Sequence, residues 1–95
     1  KKSVYLYGAG DMGKLFLSVI QESFKELNII GFIDDDIQKQ KRYFDDYPII
    51  SLDEAQLKEN FIIIISSYNH HHVIKKKLVD FGINPTMIEG FFNED

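Results

Sequence analysis

The feature that most constrains this chain is an abrupt change of period at Gly8-Ala9-Gly10. Ser3–Tyr7 (SVYLY) is a short, β-rich run that stops there, and a helical pattern starts within two residues. Met12, Leu15, Phe16, Val19 and Ile20 fall at i, i+3, i+4, i+7 and i+8, one apolar stripe that frays out over 21–26. A second apolar run, 29–33 (IIGFI), follows and is closed by Asp34-Asp35-Asp36. A strand that is apolar on both faces and feeds a helix belongs in a parallel sheet, because only a crossover can bring the next strand alongside in the same direction.

The rest of the chain repeats the alternation. Residues 37–47 follow neither period and are expected to form a loop with one helical turn. Tyr47–Ile50 is a strand that Pro48 confines to an edge. Ser51 and Glu54 have capping-box spacing and should open a short helix ending near Lys58. The run 61–67 (FIIIISS) is the most apolar and therefore the most central strand. Asn69 is placed to cap a helix with Val73, Ile74, the Lys77 stem, Leu78 and Phe81 on one face. Gly82 suits its end, and Pro85 prevents its resumption. Met87-Ile88 gives a last short strand. The expected fold is a single α/β domain over 1–95, a doubly wound parallel sheet of about five strands in the order 3-2-1-4-5.

Composition removes several function classes. The 11 Lys and Arg against 15 Asp and Glu leave a net charge of −4, which offers no attraction to a nucleic-acid backbone. With no cysteine there is no disulfide framework and no thiolate chemistry. The longest strictly apolar run, Phe61–Ile65, is far short of the ~20 residues of a membrane span. Lys1-Lys2 leads into an apolar stretch too short for a secretory signal. A cytoplasmic domain is expected. It begins without Met, which reads as a segment of a longer polypeptide.

Residues 8–13 (GAGDMG) match G-x-G-x-x-G between an expected strand and an expected helix, the context that gives this motif meaning. Gly8 permits the turn, Gly10 lets the backbone approach a diphosphate, and Gly13 lets the helix lie close to the strand. Ala9, Asp11 and Met12 share the loop, and the helix start offers N–H groups to an anion. Asp11 is placed either to cap the helix or to repel a nearby phosphate. The same stretch fits G-x-x-x-x-G-K, but Leu15 stands where a P-loop needs a hydroxyl for Mg²⁺, so an NTPase is not expected and Lys14 is expected to be a solvated helix residue.

Asp34 lies ~20 residues beyond the loop, where an acid accepts hydrogen bonds from ribose hydroxyls. Asp35 is a weaker candidate beside it. With Asp36, it disfavours a 2′-phosphate, so that for a nicotinamide dinucleotide NAD is expected over NADP. Ser66 and Ser67 emerge with Tyr68 and Asn69 from the fourth expected strand, where a ribose or sugar edge would lie. His70-His71-His72 are successive helical residues ~100° apart and cannot converge on one ion, so a solvated first turn is expected and no metal. No Ser/His/Asp set is evident, and Tyr43 has no Lys four residues on. No catalytic residue is assigned.

The segments VYLYGAGDMG, IGFIDDD and YPIIS together resemble the N-terminal Rossmann-like domain of bacterial nucleotide-sugar enzymes. Such domains precede a left-handed β-helix in sugar acyltransferases and also occur in capsule-type nucleotide-sugar epimerase/dehydratases. The resemblance spans nearly the whole chain. It implies a module binding NAD or a UDP-sugar in surface-polysaccharide biosynthesis, with Gly8, Ala9 and Gly10 at the diphosphate and Asp34 at the nucleoside. The sequence departs from the acyltransferase pattern at Met12, where a His is common, and at Ser66-Ser67, where the turn usually holds Gly. Catalysis is then expected elsewhere in the same polypeptide or complex. Two other classes stay open: the NAD-binding half of an oxidoreductase, and a ligand-free regulatory or oligomerisation domain attached to a transferase. A homo-oligomer is compatible with each.

Overall fold

The computed structural model describes residues 2–57, 60–67 and 69–90. Within them the order is β1 (Ser3–Tyr7), α1 (Asp11–Ser23), β2 (Asn28–Ile33), β3 (Arg42–Phe44), β4 (Tyr47–Ile50), β5 (Phe61–Ile65), α2 (His71–Phe81) and β6 (Ile88–Gly90). One sheet forms in the order β3-β4-β2-β1-β5-β6. Every pairing is parallel except β3 with β4. The result is an α/β domain with a six-stranded, mostly parallel sheet, in place of the expected five-stranded and wholly parallel one.

Alternation along the strands assigns the two faces. Val4, Leu6, Phe32, Ile49 and Ile64 bury themselves with Phe16, Leu17 and Ile20 of α1. Tyr5, Tyr7, Ile33, Ile63 and Ile65 bury themselves on the other face with Leu78 of α2 and with Leu52. One helix per face is what right-handed crossovers leading in opposite directions from β1 require.

Three local expectations are corrected. Tyr47–Ile50 is not an edge strand, since β3 and β2 flank it on either side. The stretch read as a loop over 37–47 contains β3, which folds back on β4 through a two-residue turn, Asp45-Asp46. Asp45 takes a left-handed φ of 53°, a conformation short acidic side chains tolerate. The Ser51–Glu54 box does form: the Glu54 N–H donates to Ser51 Oγ at 3.3 Å and the Ser51 N–H to Glu54 Oε1 at 3.1 Å. It caps a turn instead of a helix, because buried Leu52 pins the segment to the sheet and the Gln56 N–H is drawn off to the Tyr5 hydroxyl at 3.3 Å. Lys58, the expected end of that helix, lies outside the described residues.

The helices are also rotated from their expected faces. α1 buries Gly13, Phe16, Leu17 and Ile20, leaving Met12, Leu15 and Val19 exposed. Any side chain at position 13 would strike the Gly8 carbonyl oxygen, so the glycine marks the line of closest approach and fixes the rotation. In α2 only Leu78 is fully buried; Val73 and Phe81 are exposed. His70, not Asn69, holds its N-cap position, and Gly82 closes it in the left-handed conformation at φ 114° as expected.

Candidate functional site

Both helices begin at the carboxyl edge of the sheet, where the crossovers from β1 and β5 diverge to opposite faces. A pocket of about 590 Å³ opens there between the first turns of α1 and α2. Gly8, Gly10, Asp11, Met12 and Gly13 line it on one side, Ser66, Ser67 and His70 on the other, with Asp34 and Asp35 beyond β2. Nine of the ten residues singled out from sequence thus share one pocket. Ala9 is the exception: it is buried beneath the loop.

Hydrogen bonds set the shape of the loop. The Gly8 N–H donates to the Ile33 carbonyl at 2.8 Å, and the Ala9 N–H donates to Asp34 Oδ2 at 2.8 Å. Asp34 Oδ1 accepts from the Asp36 N–H at 2.9 Å. Asp34 therefore organises the loop and the turn after β2 at once, each oxygen keeping a second lone-pair direction for a ligand. Ser66 is buried, and its hydroxyl faces the Tyr7 and Gly8 carbonyls at 2.9 and 3.3 Å, clasping β1 to β5. Ser67 is more open, with Oγ 3.4 Å from His70 Nδ1. Tyr68 lies outside the described residues.

Gly10 stands at the N-cap of α1, and no side chain caps that helix. Asp11 is its first residue and lies exposed in the first turn. The first intrahelical bond runs from the Lys14 N–H to the Gly10 carbonyl at 3.1 Å. The N–H groups of Asp11, Met12 and Gly13 consequently have no acceptor within the helix. Lys14 is exposed, its ammonium 4.7 Å from the centre of the Phe44 ring.

Sequence reasoning missed a second network. The Tyr7 hydroxyl donates to Asp35 Oδ1 at 2.9 Å and accepts from Lys77 Nζ at 3.2 Å, while Lys77 and Asp35 Oδ2 form an ion pair at 2.5 Å. Burial, then the bond to Asp35, pushes the Tyr7 phenol up to about 12. Burial pushes Asp35 up as well, but the bonds from Lys77 and Tyr7 together outweigh it and hold the carboxyl below its ordinary value. Burial lowers Lys77, and its bonds to Asp35 and Tyr7 more than reverse this. The signal in the sequence was a tyrosine at the carboxyl end of a buried strand, whose hydroxyl needs a polar partner.

The histidines divide. His70 lies on the pocket wall, and His72 is exposed. His71 is half-buried against Gly90, where an added Cβ would collide with its ring, so the first turn of α2 is not uniformly solvated as expected. Among the described residues, no group of three or more acids or histidines is placed to hold a metal. Among them also, no helix is long and apolar enough to cross a membrane.

The family model for the C2185-like N-terminal domain matches residues 1–89, and the chain belongs to that family. A search of curated proteins finds no match.

Proposed function

We propose that this C2185-like N-terminal domain is a nucleotide-binding module, taking a UDP-sugar or NAD with its diphosphate over the 8–13 loop. The observation that carries the reading is the placement of one pocket between the first turns of two helices, walled by the glycine loop and by the acids after β2. With the antiparallel edge strand β3 set aside, β4-β2-β1-β5-β6 is the doubly wound order 3-2-1-4-5, which supports a Rossmann-like fold. In such sheets ligands bind outside the carboxyl ends of the strands where the order reverses, here between β1 and β5. The second lone pairs of Asp34 suit ribose hydroxyls. The resemblance to nucleotide-sugar enzymes extends the reading to a recognition module of surface-polysaccharide biosynthesis, with the chemistry done by another part of the polypeptide or complex.

A ligand-free regulatory domain is the second reading. It is favoured by one observation, that Asp34 already occupies the Ala9 N–H.

Calorimetric titration with UDP, a UDP-sugar, NAD, NADP and S-adenosylmethionine separates the two. The nucleotide reading expects binding of UDP-sugar or NAD, with NADP weaker than NAD, and loss of binding in a folded Gly10→Val variant. Silence toward all five ligands, or unchanged affinity in Gly10→Val, would refute it.

A further inference from the structure

The three loop glycines do not lack side chains for the same reason. Gly8 has φ 110°, and a Cβ there would lie 2.7 Å from Ser66 Oγ. A Cβ on Gly13 would collide with the Gly8 carbonyl oxygen. Fold alone therefore requires both. Gly10 is different: its φ of −93° and ψ of −162° suit any residue, and a Cβ would meet only Lys39 Nζ, at 3.9 Å. The space over Gly10 is open, and an ammonium group stands across it.

Lys39 is brought there by a fixed turn. Its N–H donates to the Asp36 carbonyl at 2.9 Å, the Gln38 N–H donates to Asp36 Oδ1 at 2.9 Å, and Gln40 Nε2 donates to the Asp34 carbonyl at 2.8 Å. Among the described residues its ammonium makes no ion pair, although acids at 34, 35 and 36 immediately precede it in the chain. A site that otherwise presents carboxylates to the pocket thus has a cation over the one loop glycine that packing does not explain.

We propose that Lys39 is the specificity-determining cation of this site, closing over a phosphate group seated on Gly10. The inference rests on the nucleotide reading and deepens it, since it names the phosphate as the part of the ligand that is recognised. The ammonium offsets Asp11 and adds a full charge to the partial positive charge at the start of α1. Its turn also carries the Asp34 carbonyl and the Asp36 side chain, so phosphate and ribose recognition share one loop.

The experiment titrates the parent, Lys39→Gln and Lys39→Arg with inorganic pyrophosphate, UDP, NAD, uridine and adenosine. The expected result is that Lys39→Gln weakens every phosphate-bearing probe by roughly 10–100-fold, the range of a charge-assisted hydrogen bond. Uridine and adenosine should bind all three proteins alike, Lys39→Arg should keep most of the parent's affinity, and the unliganded melting temperatures should agree. Lys39→Gln matching the parent for pyrophosphate, or a parent that binds no phosphate-bearing probe, overturns the inference. A parent that binds pyrophosphate through Lys39 but binds neither nucleotide supports the cation site and refutes the nucleotide reading.

Discussion

Replacing Asp34 by Ala removes the acceptor of two backbone N–H groups, and the two losses differ in size. Ala9 is 5% exposed, so water does not readily replace Asp34 Oδ2 on its N–H. A buried donor left unsatisfied costs about 1–3 kcal/mol, and bonds to a charged acceptor contribute about 1.5–3 kcal/mol. The Asp36 N–H belongs to an exposed residue and is rehydrated at small cost. The expected loss is about 1.5–3 kcal/mol of folding stability. For a domain of this length that is roughly 6–24 °C in Tm, at about 4–8 °C per kcal/mol.

Asp34→Asn sharpens the test. Its one carbonyl oxygen can turn toward Ala9 and keep the bond without charge assistance, while the amide faces the exposed N–H. It should therefore lose less than about 1 kcal/mol, nearer the net worth of a neutral bond. Thermal and urea unfolding followed by circular dichroism measures both variants. An Asp34→Ala variant that unfolds within about 0.5 kcal/mol of the parent, or an Asn variant as damaging as Ala, would show that the Asp34 carboxylate does not hold the loop. Nucleotide affinity should fall in the same order, because the carboxylate that shapes the loop is also the one proposed to meet the ribose.

Gly13→Ala should destabilise by about 1–3 kcal/mol or more, since α1 must back away from a main-chain oxygen, whereas Gly10→Ala should stay within about 0.5 kcal/mol; equal effects in urea titrations would contradict the packing. Tyr7 is neutral in the folded chain up to about 12 and up to about 10 when unfolded, so its contribution is complete below pH 10 and is lost as pH rises from 10 to 12. Tyr7→Phe should flatten that part of the stability profile and remove the last phenolate step from an absorbance titration; a parent lacking a late step would refute it. Tyr7→Phe and Asp35→Ala share a network and should be non-additive in a double-mutant cycle, while Tyr7→Phe and Asp34→Ala should add within about 0.5 kcal/mol.

The strands were legible because runs such as Phe61–Ile65 are apolar without interruption, and the glycine loop because a strand and a helix flank it. β3 was not, since three residues with Tyr43 69% exposed carry no period; the only trace was the pair of acids at its turn. The rotation of α1 was missed because hydrophobicity alone weights Met12, Leu15 and Val19, while close approach at Gly13 decides which side meets the sheet. The placement of Lys39 and Lys77 was invisible for another reason. Their ammonium groups reach the loop and Tyr7 across the fold, and only the backbone path of the turn after β2 and the docking of α2 bring them there.

The first two of the three acids after β2 look like one cluster of charge in the sequence, yet they occupy opposite faces of the sheet. Successive residues leaving a strand point to opposite sides. Asp34 accordingly turns to the α1 side and ties down Ala9, while Asp35 turns to the α2 side and takes Tyr7 and Lys77. Neither carboxylate is left to repel the other across a shared space: one is stabilised by backbone N–H groups, the other by an ammonium and a phenol. The division lets adjacent negative charges coexist at the mouth of a single pocket, and it gives each helix its own anchor to the end of β2. A ligand entering between the helices meets both anchors, so displacement of Lys77 from Asp35 or of Ala9 from Asp34 would be felt by a different helix in each case.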